Sequence, residues 1–99
     1  MRRVVYHVEA QFDVLEIVEY YEREAGVGVA DRFTAELESF IERLAENPLA
    51  YREFRLGIRR ANLHKFPYHV LYRIVEDETV KITSVKHDRR RPSYGLRRR

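Results

Sequence analysis

The helical period that fills most of the first half of this chain ends at Asn47-Pro48, and the change sets what the two halves can become. Before it, apolar residues recur at three- and four-residue steps, the spacing of one helix face. Ala10, Val14, Ile17, Val18, Tyr21 and Ala25 line such a face over about residues 9–25, while Glu16, Glu19, Glu22 and Glu24 take much of the rest. Gly26 and Gly28 interrupt the pattern, since glycine readily supplies the left-handed residue that ends a helix. Ala30, Phe33, Leu37, Phe40, Ile41 and Leu44 then repeat the spacing, predicting a second helix from about Val29 to Glu46 that Asn47-Pro48 stops. Two helices of similar length around a short glycine turn form an antiparallel hairpin with their apolar stripes facing each other.

The rest of the chain reads as strands. Arg3 to Val8 is β-branched and aromatic and predicts a first strand. After the hairpin, Phe54, Leu56 and Ile58 alternate, and the apolar phase then shifts to Ala61 and Leu63, which predicts a bulge near Arg59-Arg60. Tyr68–Val75 is apolar on much of both faces, as a central strand is. Glu76-Asp77-Glu78 turns into a last strand, Thr79–His87. The expected fold is α+β: an N-terminal strand, an antiparallel helical hairpin and a three-strand antiparallel meander, giving a twisted sheet with both helices on one face. The 99 residues form a single domain, 1–99, with residues 88–99 a basic C-terminal tail.

Cysteine is absent, which excludes disulfides, thiolate metal sites and thiol nucleophiles and fits a reducing cytoplasm. The basic N-terminus runs into polar sequence, so no export signal is expected, and no apolar window reaches the ~20 residues of a membrane span. His7, His64, His69 and His87 have no compact ligand spacing, and Gly26-Val27-Gly28 joins helix to helix where a phosphate loop joins strand to helix. Neither a metal nor a nucleotide cofactor is expected. Charge is the more telling feature. Residues 1–50 carry five Arg against eleven Asp or Glu, a net of −6, and residues 51–99 carry fourteen Lys or Arg against five acids, a net of +9. A basic half of that strength suits an anionic partner, nucleic acid or an acidic protein segment.

Several strings, in order along the chain, carry a resemblance: Glu46-Asn47-Pro48 closing the second helix, Ile58-Arg59-Arg60, Phe66-Pro67-Tyr68, Leu71-Tyr72-Arg73 and Val85-Lys86-His87-Asp88-Arg89-Arg90. Together with the element order and the charge split, they resemble the RelE/ParE superfamily of bacterial toxins. The resemblance implies a cytoplasmic toxin, of the kind known from plasmid stabilisation, that limits growth until a co-expressed antitoxin wraps its C-terminal segment around it. It also implies one of two targets. RelE-like members cleave messenger RNA on the ribosome without a metal, and ParE-like members poison DNA gyrase.

RNA cleavage without a metal needs an acid, a base and cations around the reacting phosphate. His87, Arg90 and Tyr94 are the candidates, His87 by its near-neutral titration and Tyr94 by its likeness to a tail tyrosine of RelE-type nucleases. Against them, the lysines that the resemblance expects on the second strand are replaced by Arg60 and Asn62, an expected arginine by His69, and a further cation by Asp88. A carboxylate there repels phosphate. Gyrase inhibition is therefore the favoured expectation, RNA cleavage the second, and a degenerate, non-toxic antitoxin-binding module the third. Arg59, Arg60, Lys65, Arg73 and Arg89 are expected contacts for antitoxin or nucleic acid whichever target holds. Phe12 and Leu15 lie off the first helix's apolar stripe; they either pack under the sheet edge or form a protein-contact patch.

Overall fold

The computed structural model describes residues 3–76 and 78–89. Strand β1, Arg3–Tyr6, leads into helices α1, Val8–Ala25, and α2, Val27–Glu46; a 3-10 turn at Pro48–Ala50 then precedes strands β2, Glu53–Arg55, β3, Ile58–Asn62, β4, Tyr68–Val75, and β5, Thr79–His87. One sheet runs in the order β1-β5-β4-β3-β2. β1 pairs parallel with β5, and every other neighbouring pair is antiparallel. The α+β architecture is the expected one, with three adjustments that have local causes.

The first strand stops at Tyr6 because His7 caps α1: its backbone is extended, and its Nδ1 accepts a hydrogen bond from the Glu9 amide at 3.0 Å. The helices are separated by Gly26 alone, at φ 94°, a conformation a side chain disfavours, while Gly28 lies inside α2. The predicted irregularity near Arg59-Arg60 falls on the partner strand, where the β2–β3 register shifts between Glu53 and Arg55 opposite Ile58 and Arg59, beside a two-residue turn, Leu56-Gly57, with φ values of 55° and 76°. Two left-handed residues in succession are the requirement of a type I′ hairpin. That turn shifts the apolar phase and adds the short edge strand β2 to the meander, making five strands in all.

A second register shift, a bulge, occurs one hairpin later. Leu71 pairs with Ser84 and Tyr72 with Ile82, so Thr83 is the extra residue, and its hydroxyl donates to the Leu71 carbonyl at 3.2 Å. Because the bulge shifts the alternation, Val80, Ile82 and Val85 all reach the same core. There they meet Ala61, Val70 and Tyr72 of the neighbouring strands and Ala10, Ile17, Phe33, Leu37, Phe40, Ile41 and Leu44 of the hairpin. Each large apolar side chain so buried contributes roughly 1.5–3 kcal/mol relative to exposure. Tyr21, Phe33, Phe66 and Tyr68 stack as an aromatic cluster with centroids 5.4–6.2 Å apart, which ties the β3–β4 loop to both helices.

Beyond Tyr6, no strand among the described residues lies beside the outer edge of β5, and α1 takes over. The carboxylate of Asp13, buried at 7% exposure, accepts the Val85 amide at 3.1 Å and the Lys86 ammonium at 2.9 Å. A helix side chain thus occupies the bonding positions of an otherwise open sheet edge.

Candidate functional site

The β3–β4 and β4–β5 registers sort the basic residues by face. Arg59 stands opposite Tyr72 and Ala61 opposite Val70, on the helix side; Arg60 stands opposite Leu71, Asn62 opposite His69 and Arg73 opposite Lys81, on the other. Adjacent Arg59 and Arg60 therefore serve different surfaces. The Arg59 guanidinium donates to the Tyr51 carbonyl and is tied into the chain's own fold.

On the outer face, the ends of β3, β4 and β5 gather Arg60, Asn62, His69 and Asp88. Arg60 Nε donates to Asn62 Oδ1 at 2.9 Å, and its terminal nitrogen lies 3.9 Å from Asp88 Oδ1. The same carboxylate oxygen lies 3.3 Å from Nδ1 of His69, whose side chain is fully buried. Asp88 is held there by its own amide, which donates to the Pro67 carbonyl at 2.9 Å. Burial lowers the His69 pKa below its ordinary value, and the Arg60 charge adds to that against the opposing pull of Asp88. The imidazole is thus kept neutral, with Nδ1–H directed at the carboxylate and Nε2 buried without a hydrogen-bond partner among the described residues. Among the described residues, a carboxylate, a neutral imidazole, an amide and one guanidinium meet here, and the carboxylate lies within reach of both the imidazole and the guanidinium.

His87 lies on the helix side instead, its ring edge-on to Tyr68 at 5.2 Å. Its Nδ1 accepts the amide of Arg89 at 3.1 Å, so the side chain shapes the turn that leaves β5. It lines a cleft with Asp13, Glu16, Ile17, Tyr20, Tyr68, Val85 and Lys86. Burial raises the Tyr68 phenol above its ordinary range, and its hydroxyl interacts with Tyr21, which keeps it protonated and unfit as a base. Arg90 and Tyr94, the other two expected catalytic residues, lie outside the described residues.

The remaining candidates are dispersed. Lys65 is exposed in the β3–β4 loop and lines a second cleft with Arg32, Ala35, Glu36 and Phe66. Arg73 shares the outer face with Arg60, its guanidinium packed over Gly57, and Arg89 is exposed just beyond β5. Phe12 and Leu15 are exposed at 53% and 52% and do not pack under the sheet edge. Asp13 carries more structural weight than any of these and was absent from the sequence expectations. Its signal was its position, three residues after Ala10 and four before Ile17, on the buried face of α1.

Among the described residues no helix is long and apolar enough to cross a membrane, and no cluster of three or more His, Asp or Glu is placed to hold a metal. Two solved structures share the fold. The chromosomal ParDE toxin–antitoxin system from P. aeruginosa superposes with a TM-score of 0.77 at 17% identity, covering 88% of this chain and 96% of the other. The isolated E. coli RelE toxin gives a TM-score of 0.62 at 16% identity, covering 97% and 94%. No curated relative matches the sequence. The family described as the ParE toxin of the type II toxin-antitoxin system parDE matches residues 4–92, nearly the whole chain, and the protein therefore belongs to the ParE toxin family of type II toxin–antitoxin systems.

Proposed function

We propose that this toxin acts as ParE-like proteins do, by inhibiting DNA gyrase inside the bacterial cell, and that it is not a ribonuclease. The observation that carries the reading is the cluster of Arg60, Asn62, His69 and Asp88. Where a metal-free nuclease needs cations and a proton donor, this face holds a carboxylate bound to a neutral, buried histidine. His87 supports the same reading, because its Nδ1 is engaged by the Arg89 amide and its ring by Tyr68. A cognate antitoxin neutralises the protein through an acidic, partly apolar C-terminal segment. That segment lies on the outer sheet face, where Arg60, Arg73 and Arg89 are the contacts, since planar guanidinium groups bind carboxylates with two hydrogen bonds.

Induction of the chain alone in bacteria, with DNA and messenger RNA followed together, tests the reading. Gyrase inhibition predicts protein-linked DNA breaks and filamentous cells with intact messages. Messages cut in phase with codons would assign the toxin to RNA, through His87, Arg90 and Tyr94. Growth without either lesion would make it a degenerate antitoxin-binding module.

A further inference from the structure

One apolar surface of the molecule is left over by the fold and by the proposed function. Val8, Phe12 and Leu15 are 56%, 53% and 52% exposed and follow one another at four- and three-residue steps along the solvent side of α1, opposite its buried Ala10, Asp13 and Ile17. A run of large apolar residues on one exposed stripe marks a contact surface more than a chance exposure. Its rim is acidic. Glu16 lies one turn beyond Phe12, Glu19 one turn beyond Leu15, both exposed and neither in an ion pair among the described residues. One further turn from Glu16 stands Tyr20, 47% exposed, with the chain's own Arg23 guanidinium 5.9 Å from its ring centre.

We propose that this face of α1 docks an amphipathic segment of another protein that carries Arg or Lys beside its apolar residues. The apolar side chains of the segment cover Val8, Phe12 and Leu15. Its cations pair with the exposed Glu16 and Glu19 carboxylates along the rim. Asp13 does not compete for those cations, because Lys86 and the Val85 amide already hold it.

Charge selects this occupant over the alternatives. Nucleic acid and anionic lipid are repelled by Glu16 and Glu19. A second copy joined symmetrically through α1 would bring the same glutamates against their own counterparts, a like-charge arrangement that costs stability. The surface is separate from the outer sheet face assigned to the antitoxin, so the inference stands whichever target the toxin has.

The test uses the full chain and a labelled helical peptide with Leu at three- and four-residue spacing and Arg on both flanks, together with its Glu-for-Arg counterpart. Fluorescence anisotropy should show binding of the Arg peptide alone. Affinity should fall about tenfold or more in Glu16→Lys and in Phe12→Ser/Leu15→Ser, whose exposed positions leave the fold intact by circular dichroism. Absence of binding, equal affinity for both peptides, or affinity unmoved by the substitutions would overturn the proposal. So would self-association in sedimentation that Phe12→Ser abolishes, which would make a second copy the occupant.

Discussion

His69 Nδ1 lies 3.3 Å from Asp88 Oδ1, a buried imidazole on β4 joined to a carboxylate that leaves the end of β5. Because burial and Arg60 hold the imidazole below its ordinary pKa near 6.5, the folded chain binds its proton less readily than the unfolded chain does. The neutral form therefore contributes stability that is fully present above about pH 6.5 and is lost as the pH falls from there through the folded-state value. Urea denaturation midpoints measured from pH 8 to pH 5 should fall more steeply for the native chain than for His69→Gln. Parallel curves would show that His69 titrates as it does in the unfolded chain.

Asp13 is the second polar group on which the fold depends. Asp13→Ala removes the acceptor of the Val85 amide and leaves Lys86, whose side chain is 15% exposed, without its counter-charge. Breaking a buried pair from one side costs about 3 kcal/mol or more, whereas Asp13→Asn keeps an acceptor for the amide and should cost less. Chemical denaturation of the two variants checks the order, and equal stabilities would contradict this account of the β5 edge.

The hairpin stripe gives a contrast in magnitude. Leu37→Ala and Ile41→Ala should each cost about 2–5 kcal/mol, since both residues lie in the shared core at 3% and 4% exposure. Leu15→Ser, on the solvent side of α1, should stay within about 0.5 kcal/mol of the parent. A large loss at Leu15 would mean that its exposed side chain packs on something in the isolated chain.

Leu56 sits at φ 55° with 60% of its surface exposed, at the first position of the β2–β3 turn. A leucine there bears the left-handed strain that Asn or Gly avoids. Leu56→Asn should raise stability by about 0.5–1 kcal/mol, read as a higher melting temperature. A lower one would show that the Leu56 side chain stabilises the fold more than its backbone strains it.

Element order and core residues were legible because two periods, three-four and two, are written plainly on either side of Pro48. The Leu56-Gly57 turn was not, since Leu is a poor turn residue and Gly57 alone does not announce two left-handed residues. The face assignments were legible only in part. Alternation places Arg59 and Arg60 on opposite faces, although the sequence expectation gives them one role as contacts. The meeting of His69 with Asp88 was hidden by Thr83, because the extra residue in β5 moves everything after it by one position relative to β4, and nothing in Lys81–Val85 signals a bulge. Asp13 is not legible in the sequence, because an acid on an apolar stripe is expected to turn outward and its partners lie more than 70 residues away.

Gyrase inhibition without ribonuclease activity is the central claim, and purified components test it most directly. The chain, released from its antitoxin, is incubated with gyrase and supercoiled DNA and, separately, with ribosomes stalled on a defined message, each beside His87→Ala. The account predicts cleaved DNA trapped on gyrase by both proteins and an uncut message in both ribosome reactions. Untouched gyrase, with a message cut on the ribosome by the native chain and spared by His87→Ala, would contradict it.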